Sequence, residues 1–365
     1  IIKNFKKNPI PNLRRILKFI FSKDPQFDLS EFLLNNLGYK GDVYFVDHHL
    51  SHASLSYFTS HFTSSNILTV DGVGEKETIT ISFAKDNKIE KLHSIEYPNS
   101  LGLFYSALTA FLGFKPNEGE YKVMGLAAYG NPEVYYQKLK SIIFFDNQDL
   151  KVNMRYFCWH TSDEIMFNKE LCMLLEMQPR MDDAVNQHHK DLASAVQKIY
   201  EEIFLEFVNL SYKLNPSENL CIGGGCAYNG LANGKIKSNS KYKKVWIPLS
   251  PSDGGSSIGA CLYYINVVKR LKRKDHITPY LGPEFSELQF LASLRESKHL
   301  LRYQSLETED LINKVSKLLA EGNVIGWFQG KMEFGARALG NRSILASPLI
   351  DGMQDRINLV IKKRE

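Results

Sequence analysis

The chain has 365 residues, more than one core of ordinary size covers, so two domains are expected. Its 44% hydrophobic and 23% charged content describes a globular protein, and a net charge of +5 is too weak a bias to call for nucleic acid. Five cysteines without a CxxC pair argue against a disulfide framework and a cysteine zinc site, and fit a reducing cytoplasm best.

The opening "IIKNFKKNPIPNLRRILKFIFSK" reads as a basic amphipathic helix packed by its Leu/Ile/Phe face. Charges interrupt its apolar runs every few residues, so neither a signal peptide nor a membrane span is expected. The chain starts at Ile1 and stops at "VIKKRE" within what reads as an element, which suggests a fragment of a longer protein. Next come a strand "VYFV" at 43–46, a helix at 48–60 and a strand "NILTVDG" at 66–72. The alternation around Asp86-Asn87 predicts a hairpin. A buried helix, "SLGLFYSALTAFLGF", precedes a Gly-rich loop, "KPNEGEYKVMGLAAYG", and residues 188–213 form a long amphipathic helix.

Two units of strand, Gly-rich turn and helix follow, "NLCIGGGCAYNGLANGKI" and "KVWIPLSPSDGG" with "SSIGACLYYINVVKRLKRK". Their succession indicates an α/β architecture with ligands bound beyond the strand ends. The charged, then Pro/Gly-rich run near 270–290 is the best linker candidate. Beyond it, "LINKVSKLLAEGNVIGWFQGKMEFGARALGNRSILASP" opens a new α/β unit with a helix and a strand.

His48 and His52 stand four apart, so on a helix their imidazoles share a face and can bind one metal ion. Asp71, after the apolar run "ILTV", and Asp253, in "SPSDGGSS", could complete a set suited to Fe(II), Mn(II) or Zn(II). A turn role for Asp71 and a helix cap for Asp253 are the competing readings. In "GGGCAYNG", Gly223, Gly224 and Gly225 allow a backbone to approach phosphate, with a purely structural turn as the alternative, while Asn229 and Asn233 are candidate partners for a ribose or acyl group. Glu118, Glu120 and Lys122 are polar where a merely buried loop would not be, with a solvated loop as the alternative. In "GKMEFGARALGNRS", Arg337 and Arg342 suit phosphate or carboxylate, against a structural ion pair with Glu333.

Together, "VDHHLSHAS", "LTVDGVGE", "EGEYKVMGLAAYG", "GGGCAYNGLANGKI", "SPSDGGSSIGA" and "FQGKMEFGARALGNRSILASP" resemble the O-carbamoyltransferases of the NodU/CmcH type, in the family's order and through nearly the whole chain. The resemblance implies a Kae1-like domain of the actin/hexokinase-like ATPase superfold over 1–272, a linker at 273–284 and an incomplete YrdC-like domain over 285–365. In such enzymes carbamoyl phosphate and ATP yield carbamoyl-adenylate, whose carbamoyl group passes to a hydroxyl of a small-molecule acceptor, a sugar or natural product, as AMP leaves. His48, His52, Asp71 and Asp253 match the family's metal ligands, with Fe2+ implied and Mg2+, Mn2+ or Zn2+ as alternatives. Gly223, Gly224, Gly225, Asn229 and Gly254 match the adenylate site, as do Arg337, Arg342, Lys362 and Arg364 in the YrdC-like part. Glu120 and Lys122 are the expected catalytic side chains.

The family's opening Gly-His-Asp motif is missing, as is most of the YrdC-like domain, so this polypeptide alone is not expected to complete both half-reactions. Threonylcarbamoyl-type tRNA modification, hydrogenase-maturation chemistry and non-catalytic nucleotide binding are the alternatives. No nucleic-acid or membrane partner is expected, and the oligomeric state is left open, a homodimer included.

Overall fold

The computed structural model describes Asn35 and residues 38–162, 164–181, 184–273, 278–297 and 302–362. The helix expected at the start of the chain, and Arg364, lie outside the described residues. The chain divides into two units, Ile1–Asp275 and His276–Glu365.

The first unit is mixed α/β, as its sequence pattern implied. Its elements are α1 (His48–Phe58), β1 (Ser64–Val70), β2 (Glu77–Lys85), β3 (Lys88–Glu96), α2 (Leu101–Phe111), α3 (Glu120–Leu126), β4 (Ile143–Asp146), β5 (Asp149–Val152), α4 (Lys169–Leu175), α5 (Gln187–Leu214), β6 (Asn219–Gly223), β7 (Lys244–Trp246) and α6 (Asp253–Tyr263). Five strands form one sheet in the order β3-β2-β1-β6-β7. β2 runs antiparallel to β1 and β3, whereas β1, β6 and β7 are mutually parallel. Thr69 of β1 lies opposite Gly223 of β6, so both strands end at the same edge of the sheet.

Period-two alternation splits each central strand between two helical layers. Leu68, Val70, Leu220 and Ile222 face the larger core, with Phe104, Leu108, Val196, Phe204 and Phe207 of α2 and α5. Ile67 and Cys221 face the other side, against Ala53, Tyr57 and Phe58 of α1. Each fully buried side chain of this size contributes about 1.5–3 kcal/mol of transfer free energy. α5 begins at a capping box in which Asn186 accepts from the His189 amide and the His189 ring accepts from the Asn186 amide. The hairpin turns at Asp86, whose φ of 53° is the left-handed value a tight two-residue turn requires.

Two expectations need correcting. Residues 43–46 are not a strand: they pair with no strand among the described residues, Phe45 is exposed, and the Tyr44 ring packs on Tyr264 at 4.6 Å. The segment "KPNEGEYKVMGLAAYG" is not simply a loop, because it contains α3 followed by a turn of 3-10 helix at Ala127–Tyr129. Burial of Val123 and Leu126 supplies the apolar face that holds α3.

The second unit comprises α7 (Glu287–Glu296), α8 (Thr308–Ala320) and the antiparallel pair β8 (Ile325–Phe328) and β9 (Arg342–Leu345). Among the described residues, no helix is long and apolar enough to cross a membrane.

Candidate metal centre

Three elements meet at the edge where β1 and β6 end. α1 has no side-chain cap from Asp47; instead the Glu75 carboxylate accepts the His48 amide at 3.1 Å, fastening the helix start to the loop after β1. Asp71 follows β1 directly, its Oδ1 accepting from the Gly72 amide (2.7 Å) and its Oδ2 from the Gly225 amide (3.1 Å). Asp253 opens α6, which lies against α1 with almost no space between the backbones. A Cβ at Gly259 would stand 2.0 Å from the Ser51 oxygen of α1, and one at Gly255 2.7 Å from the Leu55 side chain of α1 and 2.0 Å from the Ser250 oxygen of the loop before α6. These two glycines, one turn apart, let α6 carry Asp253 up to the histidines.

The result is a tight set. His48 Nε2 and His52 Nε2 are 3.0 Å apart. Asp71 Oδ2 is 3.4 Å from the first and 2.9 Å from the second, and Asp253 Oδ1 is 3.5 and 3.3 Å from them. All four ligand atoms lie within 4.8 Å of one another. Donors about 2.1 Å from a common ion stand roughly 3.0–3.4 Å apart at octahedral or tetrahedral angles, so this spacing fits one ion. His52 is fully buried, while the Asp253 side chain is 74% exposed, which leaves the group open on one side.

Electrostatics support the same focus. Burial opposes charge on His52, but the adjoining carboxylates of Asp253 and Asp71 raise its pKa to about 9. Burial likewise works against the Asp71 carboxylate, yet His48 and His52 hold its pKa far below the usual range. Asp253 is lowered chiefly by its contact with His52. His52 Nδ1 is buried and without a hydrogen-bond partner.

His49 has a different task. Its Nε2–H donates to the Glu77 oxygen (2.9 Å) and its Nδ1 accepts from the Thr69 hydroxyl (2.6 Å), which defines the tautomer. Burial drops its pKa to about 4, so it stays neutral and ties α1 to β1 and β2.

The other candidates are distributed around this group. Gly224 has φ 87°, and a Cβ there would lie 2.2 Å from the Val70 oxygen. The amides of Gly224 and Gly225 are spent on the Pro251 oxygen and Asp71, so the run's first duty is close passage over β1 and support of Asp71. Gly223 packs on His52 and Ser56, and Gly254 on Ser250. Glu120 accepts from the Ser106 hydroxyl (2.7 Å) and the Asn117 amide (2.8 Å). Burial, with the charges of Asp71 and Glu120, pushes the pKa of the Cys226 thiol strongly upward. The Lys122 ammonium instead rests over the Phe114 ring, and no described contact brings it to the four-residue group. Asn229 bonds Gln197 and caps the short helix Gly230–Gly234.

In the second unit, Arg342 is committed to Glu333 (2.9 Å) and to the Gly335 oxygen (2.9 Å), the ion-pair alternative. Arg337 and Lys362 are exposed. Glu75, His49 and Gln197 were absent from the sequence-based candidates. Only the third lies on a strong pattern, as a glutamine on the buried face of α5.

The chain matches known proteins over most of its length. The model described as carbamoyltransferase N-terminus matches residues 18–262, and the carbamoyltransferase C-terminus model matches 316–365. The Synechocystis sp. protein sll1178 is 39% identical, covering 88% of this chain and 53% of that one. Nodulation protein NolNO of Sinorhizobium fredii is 31% identical (88% and 46%), and nodulation protein NolO of Bradyrhizobium diazoefficiens is 32% identical (88% and 56%). The chain thus spans about half the length of these curated relatives. Among solved structures it is similar to T.kodakarensis HypF at a TM-score of 0.41 and 15% identity, over 69% of this chain and 40% of that one, a likeness too low to carry an argument. By the two family matches and these relatives, the chain belongs to the carbamoyltransferase family.

Proposed function

We propose that this chain belongs to an O-carbamoyltransferase acting on a small-molecule hydroxyl, with a Kae1-like transfer domain over 1–272 and YrdC-like adenylate-forming sequence from 285. The observation that carries the reading is the convergence of His48, His52, Asp71 and Asp253 at one sheet edge, in a chain of this family. In the first half-reaction water frees carbamate from carbamoyl phosphate, releasing phosphate. A carbamate oxygen then attacks the α-phosphorus of ATP and pyrophosphate leaves. In the second, the acceptor hydroxyl adds to the carbamoyl carbon, its proton goes to a base, and the bond to AMP breaks.

His48, His52, Asp71 and Asp253 would hold an ion, Fe2+ on the family resemblance, and their N/O donor set also suits Mn2+ or Zn2+. When bound, the ion would supply positive charge to the acyl-phosphate oxygen as AMP departs. The chain's own residues do the rest. Asp71 is held in place by the Gly72 and Gly225 amides. Asn229, with the turn after β6, would border the nucleotide. Glu120, the acid expected from the sequence, would accept the hydroxyl proton. A cytoplasmic location suits substrates such as ATP and carbamoyl phosphate. Incubating the full-length protein with both substrates and following pyrophosphate and carbamoyl-adenylate tests the proposal. Folded, metal-loaded protein that makes neither would refute it.

A further inference from the structure

Gln197 of α5 is buried and uses every hydrogen-bonding position of its carboxamide. Its Nε2 donates to Glu201 Oε1 and to Asn229 Oδ1, both at 2.9 Å. Its Oε1 accepts from the Tyr105 hydroxyl (2.9 Å) and from Asn229 Nδ2 (3.0 Å). A Glu201 carboxylate only accepts, so the Gln197 amide has a single orientation. Asn229 Oδ1 also takes the Ala232 amide (3.1 Å), which orients the Asn229 amide a second time. Glu201 is in turn paired with Lys235. Inside a core of Tyr105, Tyr200 and Phe204, a polar chain of this kind must be fully satisfied or it is destabilising, and its benefit is positional.

The chain leaves one donor over: the second hydrogen of Asn229 Nδ2 has no partner among the described residues. Four positions on, Asn233 gives its Nδ2 to the Ala227 oxygen (2.7 Å), while its Oδ1 is buried with no hydrogen-bond partner. Asn229 caps the short helix Gly230–Gly234 and Asn233 lies within it, so both belong to the same helical turn. They flank the turn Gly225–Tyr228, whose first amide holds Asp71. One fixed donor beside one orphaned acceptor complements a pair of neighbouring hydroxyls, since each hydroxyl can both accept and donate.

We infer that Gln197 is a positioning residue that fixes Asn229 as a donor, and that Asn229 and Asn233 together recognise the adjacent ribose hydroxyls of the adenylate. The inference rests on the adenylate reading above. Calorimetric binding of AMP and of 2′-deoxy-AMP to the full chain tests it, for the unsubstituted protein, Gln197→Leu and Tyr105→Phe. The unsubstituted protein should prefer AMP by about tenfold, the equivalent of one well-made hydrogen bond. Gln197→Leu should shrink that preference to about twofold or less while metal affinity holds, a split that a general loss of structure would not produce. Equal affinity of the unsubstituted protein for the two nucleotides would overturn the hydroxyl recognition. An undiminished preference in Gln197→Leu would overturn the positioning role. Should that variant fail to fold, Tyr105→Phe removes one of the bonds on Gln197 and keeps the ring, and an undiminished preference there counts the same way. Binding of neither nucleotide by the unsubstituted protein would instead overturn the adenylate reading itself.

Discussion

His52 concentrates the argument at the residue scale. It is fully buried, faces two carboxylates and has no partner for its second ring nitrogen. Replacing it would remove one of the four converging donor atoms. His52→Ala should weaken Mn2+ or Fe2+ binding more than tenfold, measured by metal content after equilibrium dialysis; unchanged content would remove His52 from the ligand set. Glu333 offers a test by pH. Burial would raise its pKa, but the amides of Leu339 and Asn341 and the Arg342 guanidinium bring it down to about 2, below the ordinary 4.5. A depressed carboxyl stabilises the fold above its ordinary pKa and loses that effect as pH falls toward the folded value. The 329–342 loop should therefore hold at neutral pH and loosen between about 4.5 and 2. Amide chemical shifts of Leu339 and Asn341 should titrate near the lower end; a midpoint at 4–5 would contradict the geometry.

At the scale of elements, the centre depends on α1 and α6 lying backbone to backbone. Gly259→Val places a branched side chain where even a Cβ would meet the Ser51 oxygen at 2.0 Å. Overpacking of this kind costs roughly 1–3 kcal/mol and must push the helices apart. Metal affinity should drop along with thermal stability, whereas Gly234→Ala, where a Cβ meets nothing within 4 Å, should leave both unchanged. A Gly259→Val protein with normal metal affinity would show that the contact does not position Asp253. The same elements show what the sequence could disclose. α5 and the β2–β3 hairpin were legible because periodicity and an Asp-Asn turn are local signals. The proposed metal group was legible in part: i, i+4 spacing paired the histidines, the strand end and the strand-to-helix turn offered the two aspartates, and the family's ordered motifs favoured that set over turn and cap roles. The Gln197–Asn229 clasp was not legible, because it joins residues 32 apart in sequence and nothing local marks the pairing. The "VYFV" strand failed for the opposite reason. Four apolar residues satisfy a strand pattern, yet only a neighbouring edge makes them one.

For the whole molecule, the ligands are drawn from α1, the end of β1 and the start of α6, so they meet only when the first unit is assembled. An ion that binds only that state stabilises it by about 2.7 kcal/mol at a hundredfold excess over Kd. Chelation should accordingly lower the melting temperature by several degrees and readdition should restore it, with His52→Ala insensitive to either step. A melting temperature indifferent to chelation would show that the ion is not a structural contributor. The crossing of α1 and α6 carries one more consequence. His48 and Asp253 stand about 200 residues apart, so an ion held between them ties nearly the whole first unit into a single ring. Such a ring cannot close early: the sheet, α5 and α6 must all be docked before the fourth ligand arrives. Uptake of an ion by the proposed centre would therefore be a clock for assembly, and its rate in refolding protein should never outrun the docking of α6.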